Sequence, residues 1–539
     1  MSSDQYDADA AGAIEALTGS INTNTLLDLA HRFSLTYSDL ARSSTEHFLT
    51  TPVTALPTGK EKGKFLCIDV GGSNLRVGFI ELLGEVDGPE SSDTERSSTV
   101  GENVFAQVKR SHDKNWPIGD HLKMDQAEDL FAWIGDCIAD VVRAALDEAK
   151  GQDENPFGDE ILLGITFSFP MAQSRLSEAT LLPMGKGFAI TTDLNLGNML
   201  LTGYARHCEA PGTDGASMSD PANTKTRSKL PRIRVAAITN DTVATFASLA
   251  YAVKSAPNSR VAMGLIVGTG TNATVPMKLA NLHPAKRNEI PNPDAVETVI
   301  INTEWTIRGT DKPLNDLSIK TPWDLTLDAN SDAPGFQPFE YMTSGRYLGE
   351  IVRLALLDTL SRDPEAIIPP SLQNKNAIPT RFLSEIVARK GGRIVQAELE
   401  KTYPSTDPSE SFWTVDRVEL IRDIAEAVQQ RSSALVAAAC TGLLACVGEI
   451  KIENPSKPSS SSNGTHTRDK RTIEELVIAY TGGTISQYPK WLQTCQKWID
   501  VLVEEGSAEN VSKRVTLKEA RDGGIIGAGV LAGMTEDIA

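Results

Sequence analysis

Two glycine turns and a few carboxylates hold most of the chemical capacity of this chain. In "IDVGGSNLRV" (residues 68–77) an apolar strand runs into Gly71 and Gly72, and Ser73, Asn74 and Arg76 follow. Paired glycines let a backbone turn tightly and bring its amide donors close to a ligand with no Cβ in the way. With two polar side chains and one positive charge beside them, such a turn suits a phosphate better than an apolar ligand. A plain hairpin with a glycine turn is the alternative. A second turn of the same kind, Gly268-Thr269-Gly270 in "GLIVGTGTNATV" (264–275), would let two turns grip one polyphosphate. Neither has the GxxxxGK[ST] of a Walker loop or the GxGxxG of a dinucleotide fold.

The carboxylates and amides lie at strand and loop ends. "AAITNDTVATFASLAY" (236–251) reads as a strand ending at Asn240 and Asp241 and a helix opening through Thr242. All three are good capping residues. The functional alternative is a carboxylate kept ionised beside a helix amino terminus, able to accept a hydroxyl proton. Ser168 in "ITFSFPMAQ", Lys186 in "LLPMGKGF", Glu304 in "INTEW" and Glu340 in "PGFQPFEYMTSGRYLGE" are the types that polyhydroxyl recognition needs, because each sugar hydroxyl both donates and accepts. Each taken singly also reads as an exposed loop residue.

The elements that must position these groups are legible from periodicity. Residues 9–49 carry helical spacing, with Leu26, Leu27, Leu29 and Ala30 on one stripe. Residues 127–149 form a strongly amphipathic helix with acidic residues at its start. "EILLGITFSFP" is a buried strand stopped by Pro170, and "EVDGPESSDTERSSTVGENV" reads as an exposed hairpin loop. The apolar, small-residue run at 432–448 is too short for a membrane span and reads as a buried helix. Two stretches rich in Pro, Gly and Ser, about 209–231 and 453–471, cannot offset their ordering entropy and are expected to be mobile insertions. The first runs into a basic cluster, Lys225, Arg227, Lys229, Arg232 and Arg234: a nuclear signal, a partner patch or a solvated loop edge. No tandem repeat occurs, but the two strand–glycine–strand motifs give a coarse two-fold echo.

Composition sets the limits. A chain of 539 residues is too long for one ordinary core, so two domains are expected. With 40% hydrophobic and 23% charged residues it falls in the globular range. A net charge of −19 argues against general affinity for DNA or anionic membrane. The six cysteines lack CxxC spacing and the seven histidines form no ligand pattern, which predicts reduced thiols, a cytoplasmic setting and no direct metal ligation. The acidic, polar amino terminus lacks the features of a signal peptide.

Taken in order, "FLCIDVGGSNLRV", "WPIGDHLK", "LGITFSFPMAQ", "KGF", "TNDTVATF", "GLIVGTGTN", "INTEW", "PGFQPFEYMTSGRYLGEIVR" and "DGGIIGAG" resemble the hexokinase and glucokinase family over nearly the whole chain, with wording of a fungal type in several stretches. The resemblance implies an α/β, actin-like ATPase (ribonuclease H-like) fold of two lobes with a sugar and ATP cleft. The small lobe is expected at 65–240 plus a carboxy-terminal helix near 526–539, the large lobe at 1–64 and 241–525. By the resemblance, Asp241 is the base for the 6-hydroxyl of a hexose such as glucose, fructose or mannose. Ser168, Lys186, Asn240, Asn272, Glu304 and Glu340 hold the sugar, and Lys186 also faces the moving phosphoryl group. Asp69 organises Mg2+ through water. Gly71, Gly72, Ser73, Asn74, Arg76, Gly268, Thr269, Gly270, Gly482 and Gly483 contact the nucleotide.

Several positions depart from the family pattern: Met184-Gly185 for Trp-Thr, Met277 for a glutamate, Thr306 for a glycine, Thr481-Gly482-Gly483 for Asp-Gly-Ser, and Gly524-Ile525 for Ser-Gly. They motivate a second reading, a weakly active or inactive hexokinase-like regulator of sugar sensing with a protein partner. A chaperone of the same superfamily is a third, against which the retained sugar set argues.

Overall fold

The computed structural model describes residues 3–72, 74–84, 106–119, 121–122, 127–149, 157, 160–169, 171–181, 194–208, 230–253, 258–363, 366–406, 411–455 and 473–536. Ser73, Met184, Gly185, Lys186, the expected loop after Gly84 and both expected insertions, apart from their edges, lie outside the described residues.

Helices α1 (Ser3–Thr18) and α2 (Thr23–Ser43) open the chain, followed by strands β1 (Leu49–Thr50), β2 (Lys62–Val70), β3 (Asn74–Leu83) and β4 (Val108–Pro117). Next come α3 (Ala127–Ala149), β5 (Glu160–Phe167), the short pair β6 (Met171–Ala172) and β7 (Thr180–Leu181), α4 (Leu196–Ala205), β8 (Arg232–Thr239) and α5 (Asp241–Val253). Strands β9 (Ser259–Val267), β10 (Thr271–Lys278) and β11 (Thr298–Asn302) precede α6 (Pro322–Ala329), α7 (Pro338–Thr343), α8 (Leu348–Leu360), α9 (Gly392–Thr402) and α10 (Val415–Cys446). The chain closes with β12 (Glu474–Thr481), α11 (Trp491–Gly506), β13 (Lys513–Glu519) and α12 (Gly523–Glu536), short helical turns aside.

Two compact units result. The first comprises residues 1–49, 258–288 and 301–519, the second residues 50–257, 289–300 and 520–539. These boundaries differ from the lobes expected from the sequence: residues 50–64, 241–257, 289–300 and 520–525 go with the second unit. The reason for the second shift is packing, because α5 is pressed backbone to backbone against α12. An ideal Cβ on Gly527 would fall 2.0 Å from the Ala244 carbonyl oxygen.

In the second unit the sheet runs β4-β3-β2-β5-β8. β2 pairs antiparallel with β3 and parallel with β5, and β5 pairs parallel with β8. Alternation along β2 assigns its two faces. Leu66, Ile68 and Val70 join a core cluster with Phe131, Ile134 and Ile138 of α3. Phe65, Cys67 and Asp69 point the other way, where Cβ atoms on Gly533, Gly529 and Gly524 of α12 would lie 3.4, 3.2 and 2.4 Å from them in turn. Glycines spaced along one helix face thus let α12 lie directly on the strand.

The first unit contains β9, β10, β12 and β13, with β10 antiparallel and β12 parallel to β9, and β13 parallel to β12. The series β3-β2-β5-β8 therefore recurs as β10-β9-β12-β13, which is the two-fold echo noted in the sequence. Leu26, Leu29, Ala30, Phe33, Tyr37 and Ala41 of α2 are buried at helical spacing, as is most of α10 from Ser432 to Leu444. No described helix is long and apolar enough to cross a membrane. The mixed α/β architecture of the actin-like ATPases is present.

Candidate active site

In the second unit, β2 ends in Asp69 and Val70 before the turn, which Gly71 closes by donating its N–H to the Asn74 carbonyl at 2.9 Å. A Cβ on Gly72 would meet nothing within 4 Å, and the residue does not need a left-handed backbone. The fold itself leaves room for a side chain there, so the bare backbone is a surface that a ligand can approach. Ser168 follows β5 and donates its N–H to Val70 O at 3.0 Å, which fixes it beside the turn.

Arg76, seven residues beyond Asp69, pairs with Asp522 at 2.6 Å, and Arg110 of β4 pairs with the other oxygen of the same carboxylate. Asp522 holds a left-handed backbone, φ 54°, at the entry to α12. One helical residue later, Gly524 packs on Asp69, and its carbonyl accepts a hydrogen bond from Thr166 Oγ1 at 2.8 Å. Desolvation pushes the Asp69 carboxyl up to about 7; Arg76 opposes this, while Asp241 and Asp522 add to it. Two carboxylates thus act on a third at the end of β2.

The sign of that shift makes a testable statement. From an ordinary value of 3.8 to about 7, the folded protein binds more protons at Asp69 than the unfolded chain does. Stability from this group is full at low pH and is lost as pH rises through 7. Asp69→Asn should therefore raise the melting temperature at about pH 8 by more than at about pH 4. A gain equal at both pH values, or none, would contradict the shift.

At the start of α5 the side-chain oxygen of Asn240 accepts from Thr242 N at 2.9 Å and from Thr242 Oγ1 at 2.7 Å. Asn240 is thus the cap, and Asp241 is the first helical residue. Of the two functions open to Asp241 from the sequence, capping is taken by its neighbour.

In the first unit the second glycine turn is closed by Gly268 N–H to Gly270 O at 2.9 Å, with Thr269 exposed at its tip. Gly268 O also accepts from Gly345 N at 2.7 Å and from Thr484 Oγ1 at 3.0 Å. Gly482 has φ +122°, and a Cβ there would fall 2.4 Å from Val267 O, so only glycine fits. Gly483, like Gly72, has open space where a Cβ would go.

Glu340, 6% exposed in α7, accepts the Thr271 N–H at 3.0 Å and thereby binds α7 to the exit of this turn. Its helix is fastened behind: Trp491 Nε1 donates to Ser432 Oγ, which donates to Thr343 O, both at 3.1 Å. Below it lies an amide and carboxylate network. Asn272 Nδ2 donates to Asn302 Oδ1 at 2.8 Å and Glu304 Oε1 at 3.2 Å, and Asn302 Nδ2 donates to Glu304 Oε1 at 2.8 Å. Glu304 has φ 47°, a left-handed backbone that costs a non-glycine residue on the order of 1 kcal/mol or more.

The structure thus brings Asp69, Gly71, Gly72, Asn74, Arg76, Ser168, Asn240 and Asp241 into the second unit, and Asn272, Glu304, Glu340, Gly268 to Gly270, Gly482 and Gly483 into the first. Ser73 and Lys186 fall outside the described residues. Asn302, Arg110, Thr166 and Asp522 were not among the expected site residues. The Asn-x-Glu spacing in "INTEW" is the one sequence signal that could have found Asn302.

Models of the hexokinase family match residues 16–251 and 262–534. Hexokinase-2 of Oryza sativa is 29% identical over 487 residues, covering 89% of this chain and 81% of the relative. The hexokinase of Emericella nidulans is 26% identical over 485 residues, covering 90% and 82%. A solved hexokinase of Schistosoma mansoni, complexed with glucose, superimposes with a TM-score of 0.70 at 23% identity, covering 99% of this chain and all of the other. By the extent of these matches, this chain belongs to the hexokinase family.

Proposed function

We propose that this chain moves the terminal phosphoryl group of ATP to the 6-hydroxyl of a hexose. The observation that carries the reading is at the start of α5. Asn240 does the capping, and Asp241 is the first helical residue, its carboxylate close enough to Asp69 to raise its pKa. A carboxylate so placed can take the hydroxyl proton as the oxygen attacks. Water is the competing nucleophile, so positioning the hydroxyl and excluding water matter as much as the base.

The residues present fit a magnesium nucleotide. Asp241 and Asp522 lie close enough to Asp69 to disfavour its charge, an effect that a divalent cation opposes, and Gly72 offers bare backbone that a Cβ would otherwise fill. Asp69 would hold Mg2+ through water, which when bound neutralises phosphate charge. Gly71, Gly72, Asn74 and Arg76 on one unit, and Gly268, Thr269, Gly270, Gly482 and Gly483 on the other, are assigned to the nucleotide. Glu304, Glu340, Asn240 and Ser168 are assigned to hexose hydroxyls; since the Asn240 oxygen caps α5, its amide nitrogen is the group for a ligand.

The test is a coupled assay of ADP release by the purified protein with MgATP and millimolar glucose, fructose or mannose. Release that depends on the hexose is expected. No release with any of the three would overturn the kinase reading and leave that of a hexokinase-like regulator.

A further inference from the structure

We propose that Arg110 is a positioning residue for Arg76, acting through Asp522, so that a bulge in β4 aims the arginine assigned to the nucleotide phosphates. This deepens that assignment and rests on it. Arg76 needs aiming because an arginine side chain has many rotamers and loses much entropy when one is fixed. Among the described residues its guanidinium is bonded to Asp522 alone, Nη1 donating to Oδ1 at 2.6 Å. One corner of the fork is thus held, and the other nitrogens are left for a ligand. Asp522 is itself a partly exposed side chain on a left-handed backbone just ahead of α12. Arg110 Nη1 donates to its other oxygen, Oδ2, so the carboxylate is held from two sides.

What holds Arg110 is built into the sheet. Phe79 pairs with Ser111 and Val77 with Lys114, so His112 and Asp113 of β4 stand opposite Gly78 alone. This is a β-bulge, with His112 at φ 56°, and bulges re-aim side chains. The side chain re-aimed is Asp113, whose Oδ2 pairs with Arg110 Nε at 2.8 Å. Its carboxylate lies over β3, where a Cβ on Gly78 would fall 2.1 Å from Oδ1. A side chain at residue 78 would therefore displace Asp113 from Arg110. Arg76, Gly78 and Ile80 share the face of β3 that α12 covers, and Arg110 is paired with Ile80. Asp113, Arg110, Asp522 and Arg76 thus form one row of alternating charge from the bulge to the glycine turn. An isolated exposed ion pair contributes little, but a row of charge-assisted contacts in which each group fixes the next sets a direction.

The test is a double-mutant cycle read by calorimetric titration of MgADP into the full chain. Arg110→Ala should weaken MgADP binding roughly fivefold in the parent and less than about twofold in an Arg76→Ala background. A bare loss of positive charge, or direct contact of Arg110 with phosphate, would instead weaken binding in both backgrounds alike. Gly78→Ala displaces Asp113 while keeping both arginines and Asp522, and should reproduce part of the loss, again only where Arg76 is present; melting curves accompany both variants. In the hexose assay Arg110→Ala should raise the ATP KM by a similar factor and leave the hexose KM near that of the parent. Equal losses in both backgrounds, or parent-like MgADP binding by both Arg110→Ala and Gly78→Ala, overturn the positioning role. A parent protein that takes up no MgADP, or an Arg76→Ala protein that binds it as the parent does, overturns the nucleotide assignment of Arg76, and with it this inference.

Discussion

Asp241→Ala is expected to lower hexose-dependent ADP release about 10²–10⁴-fold, the usual contribution of a positioned general base. The fold should survive. Asn240 continues to cap α5 through Thr242, so the helix keeps its first hydrogen bonds. Loss of one anion near Asp69 also removes a repulsion that helps raise the Asp69 carboxyl. The stability change is then the difference between a lost helix-dipole interaction and a relieved charge clash, both small. Measured together, kcat should collapse while the melting temperature stays near that of the parent. A variant retaining activity within tenfold of the parent would remove Asp241 from the role of base. A variant that loses activity and unfolds together would point to a structural role instead.

Gly527→Val is expected to have the largest effect on stability. The Cβ has no room at 2.0 Å from the Ala244 carbonyl oxygen and 2.5 Å from its carbon and Cα, and all three contacts are with rigid backbone. Overfilling a packed core costs typically about 1–3 kcal/mol, and the upper end or beyond applies where no side chain can yield. The affected contact joins α12 to α5, so the damage centres on the second unit and reaches the residue that follows Asn240. Denaturant titration should show a transition at lower concentration, with increased protease cleavage within residues 50–257. Unchanged midpoints would mean that α12 does not lie on α5 as described.

The helices and the glycine turns were legible because their signals are local. The helix at residues 127–149 declares itself by spacing alone, and "IDVGGSNLRV" shows a strand, a turn and a strand without reference to anything distant. What stayed hidden depends on partners far along the chain. Gly524 reads as a departure from the family pattern, yet in three dimensions it makes room for the Asp69 carboxylate, 455 residues earlier in numbering. Asn240 and Asp241 were both plausible caps, and only the geometry at Thr242 separates them. Asn302 sits inside a stretch already singled out, but its value lies in cross-strand bonds to Asn272 that no spacing rule encodes. The contact of α5 is of the same long-range kind: it follows β8 in sequence, but packs on α12.

The glycine-lined face of α12 has a consequence for how the chain comes to be made. β2, β5 and α5 are translated early, but the helix that covers Phe65, Cys67 and the Gly164 backbone is encoded about 270 residues after α5 ends. At synthesis rates of roughly 5–20 residues per second, that apolar surface stays uncovered on the nascent chain for on the order of tens of seconds. The unit whose sheet leaves the ribosome first is thus the one finished last. A stop codon before residue 523 would leave its core open, however much of the sequence in front of it had been read correctly.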